Sequence, residues 1–202
     1  MNPMFYFLLA LTTVLAATAS EPVLDTDGNI MVIGGSYYVI PPLFEPLGGG
    51  LTLAPRGGNQ CPLYVGEEYS YSKRGIPARF SNWKSRVGFV PEAENLNIEM
   101  DVKSTICAQS TYWWLNNNLL VVGGPKPQQD SRRSFFQIRR NKGIIDAYTI
   151  SYCSVHSCLD VGITNDQYGV RSLTLGSIPF PVVFMKANGT ETMTSSKTMS
   201  II

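Results

Sequence analysis

Few side chains in this 202-residue sequence could do chemistry, and their types and spacing decide which chemistry is open. His156 is the sole histidine. Nucleophilic catalysis by Ser or Cys needs a base to take the proton, and this imidazole stands between Cys153 and Cys158, where an exposed loop residue is expected. A zinc site needs several ligands at close spacing, which a lone histidine does not supply. The carboxylate pairs Asp25 with Asp27 and Glu67 with Glu68 have the type needed for glycoside hydrolysis, but they read as turn and surface residues. The glycines at 48–50 lack both the spacing and the strand-to-helix setting of a phosphate loop. No catalytic residue, metal or cofactor is therefore expected. What remains is cationic: Lys84 and Arg86 in the run Trp83-Lys84-Ser85-Arg86-Val87-Gly88-Phe89. A guanidinium projecting from an extended stretch can enter an acidic pocket and form charge-assisted bonds. Taken without further context, the two cations read as solvated loop charges.

Charge excludes other classes. With 16 basic and 15 acidic residues, net +1, the chain has no field to attract nucleic acid or anionic lipid. Phe5 to Ala17 is apolar, too short to span a bilayer with margin, and runs into Ala17-Thr18-Ala19 and Thr18-Ala19-Ser20, both small-x-small cleavage patterns. Residues 1–20 are thus expected to be a signal peptide, with the protein secreted to the extracellular space or sent to a vacuole. No later stretch approaches 18 apolar residues, so no transmembrane helix is expected. An even count of four cysteines behind a signal peptide favours disulfides over metal ligands, with three pairings open. A mature chain of about 180 residues can bury a sizeable single core.

The elements that must position any site read as strands. Ser36–Ile40, Leu51–Ala54, Ile98–Val102, Trp113–Leu115, Leu119–Val122, Phe135–Arg139, Ala147–Tyr152, Ser172–Leu175 and Phe180–Lys186 alternate or run apolar between Gly, Pro, Asn and Asp clusters. Eighteen Gly and thirteen Pro interrupt the chain too often for long helices. An all-β barrel or sandwich follows. Residues 188–202, rich in Thr, Ser and Met, read as a flexible tail, and Asn188-Gly189-Thr190 at its start is the one acceptor sequence for N-glycosylation.

Several motifs fall in order along the chain. Val23-Leu24-Asp25-Thr26-Asp27-Gly28-Asn29 is followed by Gly34-Gly35-Ser36-Tyr37-Tyr38-Val39-Ile40. Cys61 and Cys107 lie far apart, Cys153 and Cys158 close together. Trp114 stands seven residues after Cys107, and Gly123-Gly124-Pro125, Phe136-Gln137-Ile138 and Cys158-Leu159-Asp160-Val161-Gly162-Ile163 complete the set. Together they resemble the plant Kunitz-type (soybean trypsin inhibitor-like) protease inhibitor family. The resemblance implies a β-trefoil, a six-stranded barrel capped by three hairpins, over residues 21–187. It implies the pairs Cys61–Cys107 and Cys153–Cys158, which in the chain-entropy model contribute about 4 and about 2 kcal/mol. It also places Trp114 in the core and Trp83 in an exposed loop.

For function, the resemblance implies a serine-type endopeptidase inhibitor whose reactive-site loop spans Trp83 to Phe89. Arg86 would be the residue before the scissile bond and Val87 the residue after it, with Phe89 at the family's spacing of three from Arg86. The expected partner is a secreted or digestive trypsin-like serine protease, met by a monomer, with no nucleic acid or membrane involved. Two positions depart from the family pattern. Inhibitory members carry Asn just before the Gly-Gly pair, where its amide props the loop; here the residue is Ile33, which offers no such bonds. Gly88, two residues after the bond, adds backbone freedom. The alternatives are a non-inhibitory trefoil for storage or carbohydrate binding, and an inhibitor of another protease class.

Overall fold

The computed structural model of the protein describes residues 20–42, 48–82, 87–126, 133–141, 146–154, 157–176 and 178–187. Twelve strands form within them: β1 Ser36–Ile40, β2 Leu51–Arg56, β3 Asn59–Glu67, β4 Ala78–Ser81, β5 Asn97–Met100, β6 Trp113–Asn116, β7 Leu119–Val122, β8 Phe136–Asn141, β9 Ala147–Cys153, β10 Cys158–Asn165, β11 Arg171–Leu175 and β12 Pro181–Lys186.

Their pairing makes a closed barrel and a cap. β12 pairs with β1, β1 with β4, β4 with β5, β8 with β9, and β9 with β12, all antiparallel. The remaining gap closes where Leu96 and Phe136 exchange backbone hydrogen bonds of 2.7 and 2.9 Å. Six strands thus ring one core with no free edge, which removes the unpaired backbone groups an open sheet would leave. The other six form hairpins β2–β3, β6–β7 and β10–β11, and β3, β7 and β11 touch one another in a triangle. A six-stranded barrel capped by three hairpins is a β-trefoil.

The core repeats with the same symmetry. Phe80↔Ile98, Ile138↔Ile150 and Val39↔Phe184 are directly opposed pairs at the β4–β5, β8–β9 and β12–β1 junctions, and all six side chains are buried. Phe80 meets Phe184 edge to face at 5.5 Å between ring centroids, and Trp113 meets Phe136 in the same way at 5.7 Å.

Both expected disulfides are present. Cys153 and Cys158 face each other across β9 and β10, and Cys61 on β3 reaches Cys107 in the loop before β6. One core assignment moves by a residue. Trp113, not Trp114, is the buried tryptophan at 1% exposure, its indole N–H 3.2 Å from Met100 Sδ. Successive strand residues point to opposite faces, so Trp114 turns outward and half-buried, with the Arg133 guanidinium over its ring at 5.9 Å. Strands β3, β4 and β10 lie outside the segments that pattern alone marks, and β5 ends at Met100 rather than Val102.

Candidate functional site

The chain leaves the barrel at the end of β4 and re-enters it at the start of β5, where Ser81 opposes Asn97. Between them run residues 82–96. Of the expected loop residues, Val87, Gly88 and Phe89 are described, whereas Trp83, Lys84, Ser85 and Arg86 lie outside the described residues. The cap hairpin β2–β3 joins the end of β1 to the start of β4. This loop therefore leaves the opposite pole of the barrel.

Its second half is held like a strand. The Ile33 N–H donates to the Gly88 carbonyl at 3.0 Å, the Val90 N–H to Met31 at 2.8 Å, and the Val23 N–H to Val90 at 2.9 Å. Val32 opposes Phe89, Pro22 opposes Pro91, and the Glu92 N–H reaches the Glu21 carbonyl at 2.7 Å. A three-stranded ribbon results: residues 22–24, 30–32 and 89–91, with the loop in register against the chain's opening segment. Val23, Met31 and Val90 point inward and are fully buried, which pins the ribbon to the barrel.

The Asp25–Asn29 run folds this ribbon back on itself. One Asp25 carboxylate oxygen accepts from the Asp27 and Asn29 N–H groups at 3.0 and 2.8 Å, an Asx turn that closes the hairpin. The Thr26 N–H then donates to Phe184 on β12 at 2.8 Å, and the Leu24 N–H to the Tyr148 hydroxyl at 2.9 Å. That hydroxyl also accepts from Arg140, whose guanidinium pairs with Glu92 at 2.9 Å. A single arginine on β8 thus ties the loop's far end and the opening hairpin to the barrel. Burial raises the Tyr148 phenol above its ordinary range, which keeps it a neutral hydrogen-bonding partner.

The strand that leads into the loop, and the loop's start, have their own ties. The Gly34 N–H donates to the Phe80 carbonyl at 3.0 Å. Gly34 holds a positive φ of 77°, and a Cβ on Gly35 would stand 2.8 Å from the Tyr37 ring. That pair is therefore a turn other residues would strain. The Asn82 amide donates to a carboxylate oxygen of Glu94 at 3.3 Å. Glu94 so joins the start of the loop to its end. Ile33, at the position of the family's Asn, is half-buried and packs against the core. Asn82, Glu94 and Met31 gave no advance signal, because their contacts join distant parts of the chain.

The described residues hold no group of three or more His, Cys, Asp or Glu placed to share a metal. No helix among them is long and apolar enough to cross a membrane. His156 and Asn188 lie outside the described residues. What the site offers is shape: a segment following Arg86 that is pinned along its backbone while its outer side chains face solvent.

Residues 23–186 match the family model described as trypsin and protease inhibitor, of the Kunitz type. The chain belongs to the Kunitz-type protease inhibitor family. Kunitz trypsin inhibitor 4 of Arabidopsis thaliana is 50% identical, over 98% of this chain and 97% of that one. An α-amylase/subtilisin inhibitor of Oryza sativa is 34% identical over 92% of this chain and 94% of that one. Among solved structures, soybean trypsin inhibitor in complex with porcine pancreatic trypsin superimposes with a TM-score of 0.71 at 27% identity, covering 83% of this chain and 100% of that one. Kunitz-type members are inhibitors rather than enzymes.

Proposed function

We propose that this Kunitz-type protein is a secreted inhibitor of trypsin-like serine proteases, with Arg86–Val87 as its reactive bond. Arg86 enters the target's acidic specificity pocket, where the guanidinium forms charge-assisted bonds. The observation that carries this reading is the backbone ladder from Gly88 and Val90 to Ile33 and Met31. It lies immediately after the proposed bond and leaves Val87 and Gly88 exposed.

The ladder bears on mechanism. If a protease cuts between Arg86 and Val87, the new amine at Val87 stays beside Gly88, whose carbonyl is held by Ile33 at 3.0 Å. On the other side, Asn82 remains tied to Glu94 at 3.3 Å. The end that begins at Val87 therefore keeps its place after cleavage, so religation competes with release. A segment ordered in advance after the reactive bond also binds with a smaller entropy cost. The names of the Arabidopsis relative and of the soybean complex support a trypsin-like target. The apolar segment before Ser20 supports secretion through the signal peptide 1–20, and Asn188 is the proposed glycosylation site.

A second reading, a non-inhibitory trefoil, draws on Ile33, which supplies packing where a loop-supporting amide is expected. Titration of trypsin with the intact protein and with Arg86→Ala separates the two. Inhibition lost by about thirtyfold or more on Arg86→Ala is the expected result, as for an interface anchor carrying ~2 kcal/mol. Wild-type protein that leaves trypsin fully active would refute the proposal.

A further inference from the structure

The outer face of the loop ribbon is apolar where solvent-facing strands are ordinarily polar. Ile30 is 52% exposed, Val32 46% and Val87 39%. Val32 and Phe89 are directly opposed across an antiparallel bridge and so project to the same side. Ile30 lies two residues from Val32 and shares its face, while Met31 between them is buried. The Val32 N–H donates to the Tyr37 hydroxyl at 2.9 Å, which fixes the backbone that turns this side chain outward. Ile30, Val32 and Phe89 thus share one face, and the exposed Val87 stands two residues before Phe89.

We infer that Ile30 and Val32 form an accessory docking strip that meets an apolar patch on the target protease, beside the subsites that receive Val87 and Phe89. The inference rests on Arg86–Val87 being the reactive bond. Its argument is continuity: the residue after the scissile bond must contact the protease, and the strip begins two residues beyond it, where Phe89 opposes Val32. Contiguous exposed apolar surface marks interaction sites. The occupant is recognised by apolar complementarity, because no charged side chain stands on positions 30, 32, 87 or 89. The strip therefore selects among trypsin-like enzymes that share the same acidic pocket but differ in the rim beyond it.

The test compares wild type, Ile30→Thr, the double variant Ile30→Thr/Val32→Thr, and Arg86→Ala against bovine trypsin and a panel of trypsin-like proteases. Threonine keeps the β-branched shape of an exposed strand residue. Ile30 opposes Leu24 rather than the loop, so its single variant alters the strip without touching Phe89. The expected result is a roughly tenfold rise in Ki for the double variant against the best-inhibited enzyme. It should come from faster dissociation at an unchanged association rate, since no charge changes. Binding heat capacity should become less negative, with thermal midpoint and hydrolysis rate at Arg86–Val87 unaltered. A double-variant Ki within twofold of wild type on every inhibited enzyme, while Arg86→Ala loses inhibition, would overturn the strip and leave the reactive bond standing. Faster hydrolysis at Arg86–Val87 in Ile30→Thr would also overturn it, by showing a structural role. No inhibition by the wild type across the panel would overturn both.

Discussion

Replacing Ile33 with Asn tests whether packing or hydrogen bonding supports the loop. Ile33 lies between the loop and β4: its own N–H holds the Gly88 carbonyl, and the next residue's N–H holds the Phe80 carbonyl on β4, each at 3.0 Å. Its side chain is half-buried against the core cluster that contains Met31, Val90 and Phe80. Full burial of an isoleucine makes truncation cost about 2–5 kcal/mol, so a half-buried site should lose about 1–2 kcal/mol. An amide placed in this niche adds a desolvation penalty of about 1–3 kcal/mol unless it finds partners. One candidate partner is at hand, since the Ser81 hydroxyl, one residue beyond Phe80, is buried without a hydrogen bond. A single new bond of about 1 kcal/mol would offset only part of the loss.

Ile33→Asn should therefore be destabilised by about 1–4 kcal/mol, a fall in thermal midpoint of roughly 2–16 °C for a domain of this size. Trypsin inhibition should weaken or stay level, and cleavage at Arg86–Val87 should become faster. Differential scanning calorimetry, inhibition titration and timed electrophoresis of the cleaved form read these three quantities. An Asn variant as stable as wild type, with tighter inhibition and slower cleavage, would refute the argument. It would show that the niche accepts an amide and that hydrogen bonds govern loop rigidity.

The adjacent tryptophans should separate clearly in thermal melts. Trp113→Ala should lose about 3–5 kcal/mol, the range for a large buried aromatic, and Trp114→Ala about 1–2 kcal/mol, for a half-buried ring and its cation–π contact; equal losses would refute the assigned strand facing. Gly88→Ala should tighten inhibition by about two- to fivefold, because a Cβ there meets nothing within 4 Å and removing a glycine restricts the free loop by about 0.4–1 kcal/mol; weaker binding in the titration would show that Gly88 needs its freedom. Burial raises the pKa values of both Tyr112 and Tyr148 above the ordinary 10.0. Their folded values exceed their unfolded ones, so the stability they contribute is complete below pH ~10 and falls as the pH rises beyond it. Urea midpoints at pH 8 and 11 should show this fall, smaller in Tyr112→Phe, and an identical fall in that variant would contradict the assignment.

How much of this was legible in the sequence varied with the range of the interaction. Strands such as Ser36–Ile40 and Ala147–Cys153 announce themselves, because their β-branched and aromatic residues sit between turn residues. β3 does not: Asn59 to Pro62 are exposed, and the proline argues against a strand. β10 opens on two exposed residues, and β4 has four residues in all. The Trp113-Trp114 pair carries two tryptophans where only one can face inward, and register alone decides which. In the site, Val87 to Phe89 were placed by motif. The Asn82–Glu94 tie and the Arg140–Glu92 pair cross twelve and 48 residues of chain, and neither local propensity nor periodicity encodes such pairs.

The location of the site follows from where the threefold symmetry fails. At the β8–β9 junction, equivalent to β4–β5, the connection runs only from 142 to 146. At β12–β1 no connection exists, because the chain enters at one strand and leaves at the other. Only the β4–β5 junction carries a long insertion, residues 82–96. Such an insertion needs hydrogen-bond partners that the closed barrel cannot give, since its strands already satisfy one another. The opening segment supplies them, donating from Val23 and Ile33 and accepting at Glu21 and Met31. The chain's entry point is thus consumed in bracing the one loop that breaks the symmetry. Truncation of residues 21–33 should therefore loosen this loop well before it disturbs the cap at the opposite pole.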